Sequence, residues 1–320
     1  MTVNANKPEL WKSDIAQSVD FYNQWFLQFA PKTYRENRIQ TTAQVEDALT
    51  KTSDLTDVSP QVLREHPSVL PILRMATAPP IARDRLIGLA GVSSNLVKNM
   101  EADKRMPPRM EPKQVGHELE RIGQVISRLV DPDIFPWVNS GVSATPDERY
   151  RAATVVADRL CGAISDPIIR NAQEQRQLFA LQQWLEIRGY VLIPAGGGLI
   201  FDEMIPGTFA FRLNIPIRQE KRNRDVNIPI DTVIMPKDSQ AGDFPLLVEA
   251  KSAGDFTNTN KRRKEEATKV TQLRHTYGQQ VRFILFLCGY FDSGYLGYEA
   301  AEGIDWVWEH RIDDLAELGV

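Results

Sequence analysis

Along the first half of the chain, apolar residues recur every three or four positions. Ile15, Val19, Tyr22, Phe26 and Phe29 form one stripe, and Val115, Leu119, Ile122, Ile126 and Leu129 form another. That period lines a single face of an α-helix, so both segments are expected to be helical with one buried side. Prolines at 60, 67, 71, 79, 80, 107, 108, 112, 132, 136 and 146 break the region into short helices.

After about residue 166 the pattern changes. Asp166-Pro167 reads as a helix start with proline in the first turn, the helix runs to Arg188, and Gly189 ends it. Strand-like runs follow at 190–193, 208–217, 226–235 and 246–251. A helix from about Lys261 to Tyr277, closed by Gly278, precedes a buried strand at 281–287, and IDWVWEHRIDDLAEL supplies a last strand and helix. The expected class is α+β: a helical region over 1–165, then a mixed sheet flanked by helices over 166–320.

Composition narrows the function classes. At 320 residues, 42% hydrophobic and 25% charged, the chain can bury a sizeable core. Its longest apolar run, 283–288, is too short to span a bilayer, and MTVNANKPEL lacks the pattern of a signal peptide, so a cytoplasmic protein without membrane contact is expected. Cys161 and Cys288 have no metal-ligand spacing, and HELER at 117–121 lacks the second histidine of a zincin, leaving a solvated helix face as its reading. The net charge of −4 argues against coating nucleic acid by bulk charge, but RQEKRNR at 218–224 and KRRK at 261–264 are dense basic clusters.

Those clusters bracket DFPLLVEAKSAG, where a strand ends in Glu249 and Lys251. Alternate residues of a strand share a face, so these two charges point to one side and Val248 and Ala250 to the other. Upstream, Asp231 is the lone acid in VNIPIDTVIMP. The 17 intervening residues allow a turn and a return strand that bring Asp231 beside Glu249. Two converging carboxylates repel, and a hard divalent cation, Mg2+ being the usual intracellular one, relieves the repulsion. On the helix before the sheet, the stripe Leu178, Leu181, Leu185 extends back to Glu174 and Asn171. Glu174 is therefore a candidate further ligand or water-holding group, the alternative being a helix end that protrudes beyond the sheet. In this reading Asp231 and Glu249 hold the ion and Lys251 orients water or stabilises charge on a phosphodiester. No Ser/His/Asp or Cys/His arrangement competes with it.

Pro229-Ile230-Asp231 followed by Glu249-Ala250-Lys251, with a helix before and a helix-strand pair after, resembles the PD-(D/E)XK nuclease signature. In that family the proline directly precedes the aspartate, whereas here Ile230 intervenes. In the helical half, LAGVSSNLVKNMEADKRMP resembles the helix-turn-helix of phage-repressor-like domains. A helix ending at Ala90, a Gly91-Val92 turn and a Ser93 cap would leave Ser94, Asn95, Lys98 and Asn99 facing DNA; an ordinary helical hairpin is the alternative. Arg222, Arg224, Lys261, Arg262 and Arg263 are further candidate DNA contacts.

Together the two halves resemble the XamI-type type II restriction endonucleases. The resemblance implies a helical DNA-recognition and dimerisation region over 1–165 and a PD-(D/E)XK nuclease domain over 166–320. It further implies Mg2+-dependent cutting of double-stranded DNA at a short palindrome of the GTCGAC class, and a homodimer. A cognate DNA methyltransferase would act on the same site without needing to bind the chain. Another PD-(D/E)XK nuclease, for repair or modified DNA, and a DNA-binding regulator that does not cut are the competing readings.

Overall fold

The computed structural model describes residues 2–194, 201–218, 225–240, 242–257 and 259–320, the side chains of 163, 164, 225 and 260–263 excepted. The chain divides into two compact units, Met1–Phe29 with Ile169–Val320, and Ala30–Ile168. Two long helices, α1 (Trp11–Lys51) and α8 (Pro146–Ile187), contribute residues to both. Among the described residues no helix is long and apolar enough to cross a membrane.

Between those helices lie α2 (Pro60–Glu65), α3 (Leu70–Met75), α4 (Arg83–Ala90), α5 (Ser94–Lys98), α6 (Pro112–Leu129) and α7 (Pro136–Ser140). Proline occupies the first turn of α2, α3, α6 and α7, where its missing N–H removes no helical bond. The stripe of α6 packs as its period requires: Val115, Leu119, Ile122 and Ile126 are buried with Leu73, Leu86 and Leu96 in one core. Gly91 ends α4 in the left-handed conformation, φ 59°, and Ser93 Oγ caps α5 by accepting from Asn95 N at 3.2 Å.

Two expectations for the long helices require correction. Asp166-Pro167 is not a helix start, because α8 begins at Pro146 and passes through Pro167. Ala153, Ala157 and Leu160 before the proline and Leu178, Leu181 and Leu185 after it are buried. Packing on both sides offsets the roughly 3 kcal/mol that an internal proline costs. In α1 the expected stripe is displaced: Tyr22 is buried but Phe26 is exposed, and the inward positions include polar Asp14 and Ser18. Each has a distant partner, Arg311 for Asp14 at 2.9 Å and Gly289 N for Ser18 at 2.8 Å.

The sheet has strand order β1 (Val191–Leu192), β2 (Thr208–Arg218), β3 (Asp225–Met235), β4 (Leu246–Ala253), β5 (Arg282–Gly289) and β6 (Asp305–Trp308). β1 and β2 are parallel, β2–β3 and β3–β4 are antiparallel, and β4, β5 and β6 are mutually parallel. The parallel pairs β4–β5 and β5–β6 need crossovers, supplied by α9 (Thr259–Tyr277) and by α10 (Ser293–Ala301), a helix not anticipated from the sequence. The last segment is a 3₁₀ helix, Glu309–Leu318. One face of the sheet buries Leu247, Leu285 and Leu287 with Val270 and Leu273 of α9. The other buries Val248, Ile284 and Phe286 with Leu178, Leu181 and Leu185 of α8.

Residues 3–5 are fixed to β6. The Asp305 carboxylate accepts from the backbone N–H of Val3, Asn4 and Ala5, and Asn4 Nδ2 donates to Trp306 O at 2.9 Å. Where β4 and β5 end, Gly289 has φ 98° and a Cβ there would lie 2.1 Å from Ala253 O, so only glycine fits.

Candidate active site

The site arises where two strands part. The β3–β4 ladder ends at Thr232 opposite Val248, which makes Asp231 and Glu249 the next facing positions, while β4 continues to pair with β5 as far as Ala253. Asp231 Oδ2 takes over from the lost ladder bond by accepting from Ala250 N at 2.9 Å. One strand over, Arg212 adopts a left-handed φ of 52°, rare for a residue with a Cβ. Ala210 before it and Leu213, Ile215 and Ile217 after it all pack into the core on the α9 side, so the strand turns there. The bend falls opposite Asp231 in the β2–β3 register, between the pairs Phe211–Thr232 and Leu213–Ile230, at the level where β3 and β4 stop pairing and a fork begins.

Glu249 and Lys251 leave β4 on the face of Leu247, toward α9, as strand alternation requires. There they meet two residues that the sequence reading did not single out. Lys251 Nζ lies 3.0 Å from Glu249 Oε1 and 2.9 Å from Glu266 Oε1, and Lys269 Nζ lies 2.6 Å from Glu249 Oε1. Glu266 and Lys269 were discoverable. With Val270 and Leu273 they occupy positions i, i+3, i+4 and i+7 of α9, which is the inward stripe of that helix.

The electrostatics are unbalanced. Burial and the Glu249 charge push the Asp231 carboxyl up to about 6, against the opposing effects of Ala250 N–H and Lys251; Glu174 adds a smaller upward push. Burial pulls the Lys251 ammonium down, but Glu249 and Glu266 outweigh it and hold the pKa above the ordinary lysine value. Both ammoniums near Glu249 crowd onto Oε1. Glu249 Oε2 and Glu266 Oε2 are buried and have no hydrogen-bond partner among the described residues.

A bare, buried carboxylate oxygen opposite a second carboxylate suits a hard cation. Among the described residues no group of three or more His, Cys, Asp and Glu side chains surrounds one point. Asp231 and Glu249 would offer such an ion two carboxylates, a donor set of the kind used for magnesium, which takes its remaining ligands from water and phosphate.

The other candidate residues are distributed as follows. Glu174, on α8, accepts from Arg212 Nη2 at 2.7 Å. Ser94, Asn95 and Lys98 are exposed on α5, and Asn99 Nδ2 donates to Asn95 O and Oδ1 at 2.8 and 3.0 Å. Arg222 and Arg224 lie outside the described residues, as do the side chains of Lys261, Arg262 and Arg263, whose backbone begins α9.

The combination of acids and lysine at a sheet fork defines a candidate hydrolytic centre, and comparison with known proteins gives its class. The family model of the XamI restriction endonuclease matches residues 53–308, which include the fork and the α4–α5 pair. The chain belongs to the XamI restriction endonuclease family and is a site-specific deoxyribonuclease. It is 53% identical over 317 residues, 99% of either chain, to the type II restriction enzyme SalI of Streptomyces albus G. It is 26% identical over 202 residues to the type II restriction enzyme XamI of Xanthomonas campestris pv. amaranthicola, covering 61% of this chain and 62% of that protein. No solved structure matches the chain.

Proposed function

We propose that this endonuclease hydrolyses both strands of DNA at a palindrome of the GTCGAC class, in a PD-(D/E)XK-type site built from Asp231, Glu249 and Lys251. The observation that carries the assignment is the fork. Asp231 and Glu249 are facing positions at the point where β3 leaves β4, and Lys251 is two residues on along the same face. Asp231 and Glu249 would hold Mg2+, which when bound supplies a Lewis acid that activates water and offsets phosphate charge. Lys251 carries a compact ammonium suited to a phosphate oxygen or to orienting the attacking water. In the metal-free protein Glu249 and Glu266 hold it charged, which suits it to stabilise negative charge and to donate. Glu174 belongs to the outer edge of the site. Its charge reaches Asp231, and it holds the guanidinium of Arg212.

We further assign the helical part of the chain to DNA recognition and dimerisation and the sheet-bearing part to cleavage. In this assignment Ser94, Asn95, Lys98 and Asn99 contact DNA in the manner of a helix-turn-helix, with Arg222, Arg224, Lys261, Arg262 and Arg263 on phosphates. A palindrome calls for two active sites related by a two-fold axis, hence a homodimer. The enzyme would act in the cytoplasm alongside a methyltransferase protecting the same sequence. The test is digestion of a plasmid with one GTCGAC site in Mg2+. A single linear product supports the assignment; a smear, or cutting only of modified DNA, supports another nuclease of this type.

A further inference from the structure

α9 presents a second ammonium to the fork. Lys269 is closer to Glu249 Oε1 than Lys251 is, 2.6 against 3.0 Å, and its side chain is 20% exposed. It also lines a groove of about 500 Å³ with Asn227, Pro229, Lys264, Glu265 and Thr268, so one side chain both reaches the carboxylate and borders open space. Neutralising Glu249 does not explain it, because Lys251 already bonds the same oxygen while Oε2 is left bare.

The charge count points the same way. Asp231, Glu249 and Glu266 are three carboxylates against the ammoniums of Lys251 and Lys269, a formal charge of −1. One divalent cation would bring the cluster to +1, the charge a phosphodiester neutralises. Without Lys269 the cluster would start at −2 and reach only zero, so no net positive charge would remain to balance the substrate phosphate.

Resting on the cleavage site assigned above, we propose that Lys269 is a substrate-binding residue of that site. Its ammonium exchanges Glu249 for a non-bridging oxygen of the phosphodiester lying in the groove. Lys264 lines the same groove and supplies a second ammonium there, beside the carboxylate of Glu265.

Lys269→Met removes the charge and keeps most of the stem, and Lys269→Gln serves where Met impairs folding, as judged by circular dichroism. The expected signature has opposite signs. Calcium binding to the DNA-free protein, measured by calorimetry, tightens roughly tenfold because the site is more negative. Cleavage in Mg2+ slows about 100-fold, the effect of losing one aimed donor. Lys269→Met weakens binding of a GTCGAC duplex in calcium, and Lys269→Arg restores most of that affinity. Unchanged or weaker calcium binding, or cleavage at the wild-type rate, overturns the role of Lys269. Asp231→Asn, measured in parallel, separates the two readings. If it binds calcium like the wild type, the cleavage-site assignment fails. If it loses calcium while Lys269→Met leaves binding unchanged, only the role of Lys269 fails.

Discussion

Glu118 of the helical unit and Glu249 of the sheet unit are equally buried, each 5% exposed, and do opposite things with their carboxylates. Glu118 Oε2 accepts from Ser93 N and Oε1 from Gln114 Nε2, both at 2.9 Å, so both oxygens are satisfied and the start of α5 is fixed to α6. Two further half-buried ion pairs in the helical unit join Arg74 to Glu101 and Arg159 to Asp131. Glu249 has two cations on one oxygen and none on the other. Burial of an acid is thus common to scaffold and site, and the unsatisfied oxygen is what separates them.

The largest effect expected from breaking the comparison is on chemistry. Lys251→Ala should lower cleavage by at least about 1000-fold, while far-ultraviolet circular dichroism shows a folded protein. An active Lys251→Ala enzyme would remove Lys251 from the site and leave its ion pairs with Glu249 and Glu266 as scaffolding.

Next come the two glutamates compared directly. Glu118→Ala strands Ser93 N–H and should destabilise the fold by about 2 kcal/mol in urea unfolding. Glu249→Gln should leave stability within about 1 kcal/mol, since the ammoniums keep an acceptor and a charge-imbalanced cluster is relieved, yet it should abolish cleavage. Equal loss of stability in both variants would mean that Glu249 is as structural as Glu118.

Asp231 sharpens the same contrast through pH. Its folded pKa, about 6, lies above the ordinary aspartate value of 3.8, so the ionised form opposes folding. A raised carboxyl contributes stability that is fully present below pH 3.8 and lost as the pH rises through 6. Asp231→Asn should therefore raise the stability of metal-free protein at pH 8 by roughly 2 kcal/mol. The gain should vanish near pH 4, as read from thermal melts across that window. A gain that persists at pH 4 would show that the aspartate is not held out of water as the fork implies.

How much of this could be read from the sequence differs by region for a physical reason. The strands around Asp231 and Glu249 were legible because alternation is local: Leu247, Glu249 and Lys251 share a face whatever lies across from them. The stripe of α6 was legible on the same ground. The course of α8 through Pro167 was not, because packing on either side of the proline overrides a local stop signal. Nor was the fixing of residues 3–5 by Asp305, a contact about 300 positions away. Glu266 and Lys269 fall between these cases. Their helical phase with Val270 and Leu273 is present in the sequence, but α9 is so polar that its inward stripe does not stand out from its solvated face.

The smallest expected effect lies in the helical unit. Asn95 and Lys98 are exposed on α5, whose inward Leu96 and Val97 are fully buried, so replacing the outward pair should leave stability within about 0.5 kcal/mol. If α5 meets DNA, Lys98→Gln should weaken duplex binding in calcium several-fold and reduce the slope of log affinity against log salt by roughly one, since a phosphate contact releases a counterion. Asn95→Ala should weaken binding without changing that slope, because an uncharged side chain releases no counterion. It should also release Asn99 from its bond to the Asn95 side chain. Unchanged affinity in both would return α5 to the same class as Glu118, a well-satisfied part of the scaffold, and leave the sheet fork as the only tested DNA-facing surface of the chain.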